Sequence, residues 1–290
     1  MSAIEHEVAS QPQVWRQAAD LPLDDFLPPR GARLAIIGCG TSLYVAQSAA
    51  VSRESAGWGE TDAFPASEFP AGRSYDAVLA ISRSGTTTEV LDTLAGIGER
   101  LPTLALTAVP DSPLARVAGR TVAMPFADER SVVQTRFATA AVVMLMARLG
   151  IDVEPAAADA ERVLAEPLPV DPVRFERFQF LGSGWTVGLA CEAALKLREA
   201  VRAWTEAYPA MEYRHGPIAV ADERTLVVAL GPLPDGLADD VHATGATLLA
   251  PGHDPLATLV QVHRMAIALA AARGLDPDNP RNLTRSVVLP

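Results

Sequence analysis

The chain has 290 residues, enough for one large core or two moderate ones, and 49% of them are hydrophobic against 20% charged. Its net charge of −11, without a basic run, argues against nucleic-acid binding, so an anionic ligand would need local donors rather than a favourable overall field. Two distant cysteines, Cys39 and Cys191, fit neither a disulfide scaffold nor a metal cluster and suit a reducing compartment.

The amino terminus "MSAIEHEVASQPQVW" lacks the apolar stretch of a signal peptide, and the most apolar segment, Phe137 to Ala147, is too short to cross a bilayer. The expectation is a cytoplasmic protein with no membrane partner. Residues 1–30 read as a helical or irregular lead-in. "RLAIIGCGTSLYVAQSAAVSRE" (33–54) then reads as strand, glycine turn and helix. "DAVLAIS" (76–82) is a strand followed by a helix to about Arg100, "LPTLALTA" (101–108) a third strand and "RTVAMPF" (120–126) a fourth. An apolar helix from Gln134 to Leu149 closes a lobe spanning 31–150.

Residues 151–172, acidic and rich in alanine and proline, read as a linker with a short exposed helix. "FQFLGSGWTVGLACEAALKLREA" (178–200) then repeats the opening plan, with Gly38 and Gly182 about half a chain length apart. The helix extends in this reading through "CEAALKLREAVRAWTEAY". Strands at 224–232 and 246–252 and a helix from Pro255 to Arg273 complete a second lobe, 173–274. The remainder, 275–290, is an irregular tail that either frays or packs over a site. Apolar strands alternating with helices give the fold class: α/β, two similar lobes, each a parallel sheet with helices on both faces.

Chemistry concentrates in a few places. "GCGTSL" and "GSGWTV" carry only Gly-x-Gly and miss the third glycine of a dinucleotide turn, and no Walker-type Gly-Lys-Ser/Thr occurs. "LAISRSGTTTEV" (79–90) admits two readings. Thr86 and Glu89 have capping-box spacing, or the hydroxyls and the fresh helix start form a cup for an oxyanion. Thr41 and Ser42, with Ser82, Ser84, Thr86 and Thr87, suit a phosphate or a polyol.

Glu192, Lys196 and Glu199 share one helix face, either as a surface ion-pair ladder or as a base with a charge-stabilising cation. His215, in "RHGP", sits at a rigid turn that opens a helix with Pro217; it is either structural or a proton carrier.

Taken in order, "GCGTS", "ASEFP", "SRSGTTTE", "EAALKLREA", "RHGP" and "DNPRNLTRSV" resemble the sugar isomerase (SIS) domain family. The likeness is nearest to the isomerase half of glutamine–fructose-6-phosphate amidotransferase and to stand-alone AgaS-like and fructosamine-phosphate deglycase-like proteins. It implies two tandem flavodoxin-like lobes, each with a five-stranded sheet, and a phosphosugar ligand held by Ser82, Arg83, Ser84 and Thr87 with Thr41 and Ser42 close by. It implies Glu199 as the base between C1 and C2, Lys196 at the substrate carbonyl, and His215 as the ring-opening group. It further implies a homodimer with shared active sites and no cofactor or metal.

Two positions depart from the family pattern. Arg285 stands where the synthases have lysine and is expected to join Lys196 in stabilising charge on the substrate oxygen, while Gln134 stands where they have serine and is expected to contact the sugar; both changes leave the sugar open. The chain also shows no glutaminase domain. The expected function is a phosphosugar isomerase or amino-sugar-phosphate deaminase, with a deglycase, a plain aldose–ketose isomerase or a non-catalytic phosphosugar-binding regulator as alternatives.

Overall fold

A computed structural model describes residues 2–22 and 25–289. Met1, Leu23 and Asp24 of the lead-in and Pro290 of the tail lie outside the described residues. The chain divides into two compact units, each built on its own parallel sheet with helices around it.

The first-lobe unit comprises Gln13–Arg130, Gln134–Val153 and the tail from Thr284. Its five strands are β1 (Leu34–Gly38), β2 (Thr61–Pro65), β3 (Ala77–Ile81), β4 (Thr103–Thr107) and β5 (Arg120–Ala123), in the order β2-β1-β3-β4-β5. Every residue of β1, β3 and β4 is buried, as a sheet covered on both faces requires. The edge strand β2, "TDAFP", has no apolar run and escapes a reading by pattern. β5 is shorter than its apolar stretch suggests because Pro125, without an N–H for the ladder, opens a 3-10 turn.

Helix α2 (Gln11–Ala19) precedes this sheet, and α3 (Thr41–Ser55), α4 (Thr88–Ile97), α5 (Pro113–Val117) and α6 (Arg136–Arg148) follow its strands or loops. Ten successive residues of α6, Phe137 to Met146, are buried, so the helix is apolar all round. Trp15, on a helix over Gln11–Ala19, is fully buried and donates its indole N–H to Thr139 Oγ1 at 2.8 Å.

The second unit comprises the chain up to Pro12, Ser131–Val133 and Glu154–Leu283. Its strands β6 (Arg177–Gly182), β7 (Trp204–Pro209), β8 (Thr225–Ala229) and β9 (Thr247–Leu249) run parallel in the order β7-β6-β8-β9. Among the described residues four strands stand where the family resemblance implies five. Its helices are α1 (Ala3–Ala9), α7 (Glu154–Ala165), α8 (Thr186–Val201), α9 (Leu237–Ala243) and α10 (Pro255–Ala272).

Two expectations are corrected here. The helix that carries Lys196 stops at Val201, because Arg202 turns left-handed at φ 54°, its N–H donating to the Arg198 carbonyl and the Ala203 N–H to the Leu197 carbonyl. Residues 204–209 then form β7, where Trp204, Thr205 and Tyr208 suit a pleated surface. Nor is the 151–172 helix an exposed linker: α7 buries Ala156, Ala157, Ala160 and Val163 and packs on α10. α10 itself is long and apolar enough to cross a membrane by length and composition, yet two thirds of it is buried inside this lobe.

Candidate active site

In the first lobe the chain leaves β1 and β3 in opposite directions, toward β2 and toward β4, which makes their carboxyl ends a topological switch point. Both hydroxyl-rich loops flank it. At the β1 exit, a Cβ on Gly38 would lie 2.7 Å from the Ser42 backbone, so glycine alone lets α3 start this close. Thr41 and Ser42 form its buried first turn.

At the β3 exit, Ser82 Oγ accepts the Gly85 N–H at 3.2 Å and lies 3.2 Å from Thr87 Oγ1. Ser84 Oγ accepts from the Thr86 N–H at 3.2 Å and from the Thr86 hydroxyl at 2.9 Å. Gly85 has φ 63°, and a Cβ there would strike Ser112 Oγ at 2.2 Å. The capping-box reading fails: α4 begins at Thr88, its N-cap is Thr87, and no side chain caps it. The loop is held instead from β4, with Thr107 Oγ1 and the Ala108 N–H both donating to the Arg83 carbonyl, at 3.1 and 3.0 Å.

Arg83 points away from solvent. It is 2% exposed, its Nη1 lies 3.9 Å from Glu129 Oε2, and its Nη2 donates to the Arg285 carbonyl at 3.0 Å. Glu129, also buried, accepts from the Thr135 N–H (2.6 Å) and hydroxyl (2.9 Å), the Arg136 N–H (2.7 Å) and the Phe137 N–H (3.2 Å). One carboxylate thus serves the amino terminus of α6 and the cation of the hydroxyl loop together. The motif analysis missed Glu129, and only the polar run "ADER" before the apolar helix hints at it.

The tail belongs to the same unit. Arg285 donates to the Asp128 carboxylate and the Glu129 carbonyl. Ser286 Oγ lies 2.7 Å from Thr86 Oγ1, and the Val287 carbonyl accepts the first N–H of α4, from Thr88, at 3.2 Å. Arg285 is therefore engaged as a latch on Asp128 and Glu129. Gln134, next to Thr135 in sequence, keeps a buried Oε1 that has no hydrogen-bond partner among the described residues.

In the second lobe α8 carries the charged trio. Lys196 is 1% exposed; its Nζ donates to Glu199 Oε2 at 2.6 Å and pairs with Glu192 Oε1 at 3.3 Å. This excludes the surface ladder. Burial pulls the Lys196 pKa down, but Glu192 and Glu199 more than offset it and the net shift is upward. Lys196 is thus a cation at neutral pH, and Glu199, with its side chain 20% exposed, is the open member of the trio.

His263 of α10, fully buried, is close enough to feel the Lys196 charge. Desolvation first and Lys196 second push its pKa down to about 3, so it is neutral. Its Nδ1 meets Gln11 Nε2 at 3.1 Å. His215 stands exposed at the end of a 3-10 turn, Glu212–His215, and Pro217 opens a further 3-10 turn rather than an α-helix.

Residues 30–149 match the SIS domain model. Over 89% of its length the chain is 29% identical to glutamine–fructose-6-phosphate aminotransferase (isomerizing) of Methanothermobacter thermautotrophicus, covering 52% of that protein. It is 27% identical over 99% of its length to the Xylella fastidiosa enzyme of the same name, covering 59% of it. The chain thus spans little more than half the length of these relatives. Glucosamine-6-phosphate deaminase from Thermotoga maritima superposes with a TM-score of 0.84 at 25% identity, covering 99% of this chain and 100% of the other. Tagatose-6-phosphate ketose/aldose isomerase from Escherichia coli shares the fold at TM-score 0.76 and 19% identity, over 100% and 97% of the two chains. The chain thus has the fold of a glucosamine-6-phosphate deaminase and of a tagatose-6-phosphate ketose/aldose isomerase.

Proposed function

We propose that this protein is a SIS-family enzyme acting on an amino-sugar or fructosamine hexose 6-phosphate, moving a proton between C1 and C2 with Glu199 as the base. In this reading the phosphate is held by Thr41, Ser42, Ser82, Ser84 and Thr87, and the buried Arg83 supports that loop from behind. Lys196 steadies negative charge on the substrate oxygen as the C2 proton leaves. With an open-chain 2-amino aldose, the proton reaches C1, the former carbonyl oxygen is protonated, and the carbon–nitrogen bond becomes an imine. Water adds to C2 and ammonia departs, leaving a ketose phosphate. The deglycase and plain isomerase use the same transfer with a different group at the reacting carbons.

The observation that carries this reading is the Lys196 environment. A lysine 1% exposed, between Glu192 and a partly open Glu199, is an expensive way to join two helical turns. Removing charges from water costs several kcal/mol per ion in folded proteins, and apolar residues of similar volume hold a core as well. A cation beside a half-open carboxylate is what proton transfer next to a carbonyl requires. The reading also has a second copy of the chain completing the site through His215. The exposure of His215, and of Trp204 at 80% on the edge strand β7, supports it.

The test is to mix the protein with glucosamine 6-phosphate and galactosamine 6-phosphate and assay ammonia and ketose phosphate together. Both products in equal amounts support a deaminase. Thermal stabilisation by these sugars with neither product would replace it with the binding-protein alternative.

A further inference from the structure

His215 lies in "MEYRHGP", and the two side chains before it are tied to different parts of the second lobe. Tyr213 is fully buried in an apolar cluster with Leu181, Val227, Leu237 and Val241. Its hydroxyl donates to Gln179 Oε1 at 2.5 Å, and Gln179 Nε2 donates to Glu206 Oε2 at 2.8 Å. Gln179 on β6 and Glu206 on β7 are direct cross-strand partners, so sheet register fixes the far end of the chain of bonds. Its direction follows from chemistry. A carboxylate only accepts, so the amide turns its nitrogen to Glu206 and its oxygen to Tyr213, which must donate. Burial, with Glu206 and Tyr208 nearby, raises the Tyr213 pKa, so that donor keeps its proton.

Arg214 ties the same turn elsewhere. Its Nε donates to Asp240 on α9 at 2.6 Å and its Nη2 to the Asp235 carbonyl at 2.8 Å. Gly216 follows at φ 130°, a backbone state that favours glycine. His215 therefore projects between an inner and an outer anchor while its own ring stays exposed. A phenylalanine at 213 would fill the same apolar cluster without bringing a hydroxyl, an amide and a carboxylate into one partly dry place. The polar chain exceeds what packing needs.

We propose that Tyr213, anchored through Gln179 and Glu206, is a positioning residue that fixes the neighbouring His215 for proton transfer at the substrate; this rests on the reading in which His215 acts on the sugar. The variant that isolates the hydroxyl is Tyr213→Phe, which keeps the ring. Ammonia and ketose-phosphate release from glucosamine 6-phosphate is measured for wild type, Y213F, H215N and the double variant. Y213F is expected to lose about ten-fold in kcat at unchanged KM, the scale on which small misplacements act. In the H215N background it should cost nothing further. A Y213F enzyme with wild-type kcat, or an equal loss with and without the imidazole, overturns the proposal.

The His215 ring NMR signals of the same proteins supply a readout that needs no turnover. They should form one sharp set in wild type and broaden or split in Y213F. Unchanged signals overturn the positioning role by themselves. Full activity of H215N, with the NMR change present, would sink the reading of His215 as an acting group while leaving the anchoring intact.

Discussion

Replacing Glu129 by alanine is the perturbation that tests most of the first lobe at once. The variant removes the acceptor of hydrogen bonds from the Thr135 N–H and hydroxyl and the Arg136 and Phe137 N–H groups, and leaves Arg83 buried with its carboxylate gone. Breaking a buried pair by deleting one partner costs about 3–5 kcal/mol, and the lost bonds are part of that figure rather than additional to it. Against a typical total of about 5–15 kcal/mol, this is a large share. Because the chain folds as two units, a single unfolding transition is a poor reporter. Native-state hydrogen exchange reads the lobe directly: protection of the Leu79 and Leu106 amides in β3 and β4 should fall by about three decades. The double variant R83M/E129L removes both charges and should recover the part of that protection owed to the stranded cation, while the Thr135, Arg136 and Phe137 donors stay without their acceptor. Less than a ten-fold loss of protection in E129A, or no recovery in the double variant, would refute the account of Glu129 as the anchor of the hydroxyl loop.

Glu199→Gln should lower turnover of the sugar phosphate by about 10²–10⁴, the range for loss of a general base, while calorimetry still registers binding; undiminished turnover removes Glu199 from the mechanism. Ser84→Ala combined with Thr87→Ala should weaken binding of a hexose 6-phosphate by about ten-fold or more, since hydrogen bonds to a charged group are worth about 1.5–3 kcal/mol each. Equal affinity by calorimetry would move the phosphate elsewhere. His263, depressed from 6.5 to about 3, is neutral when folded and protonates first in the unfolded chain. Its contribution to stability is complete above pH 6.5 and is lost as pH falls toward 3, with a slope of at most about 1.4 kcal/mol per pH unit. Denaturant midpoints of His263→Gln between pH 4 and 7 should therefore vary less than those of wild type, and parallel curves would refute the assignment.

The lobes could be read from the chain because β1, β3, β4, β6 and β8 are local runs of apolar residues that end in glycine or hydroxyl turns. The site motifs were legible for a related reason: hydroxyls next to a glycine after such a run mark the carboxyl end of a strand. β2 and β7 were not legible, since each is an edge strand of mixed polarity whose structure comes from a neighbour already in place. The end of α8 was hidden too, because a single arginine at positive φ stops it without glycine or proline.

Spacing put Glu192, Lys196 and Glu199 on one face, but whether that face met water or the core was a tertiary matter. Packing of α10 on α8 decided it and turned an ordinary ion-pair pattern into a buried cation with one open carboxylate. Arg83 was re-read in the same way. The family resemblance implied a ligand contact for it, and in the structure Glu129, far along the chain, draws it inward. The sequence by itself determined the parallel sheets, the hydroxyl loops and the periodic placement of charge, because these depend on residues a few positions apart. Only the tertiary structure decided which charges are buried, which carboxylate each cation meets and where the tail lies. Those outcomes depend on desolvation and partners separated by tens to hundreds of residues, which no local pattern encodes.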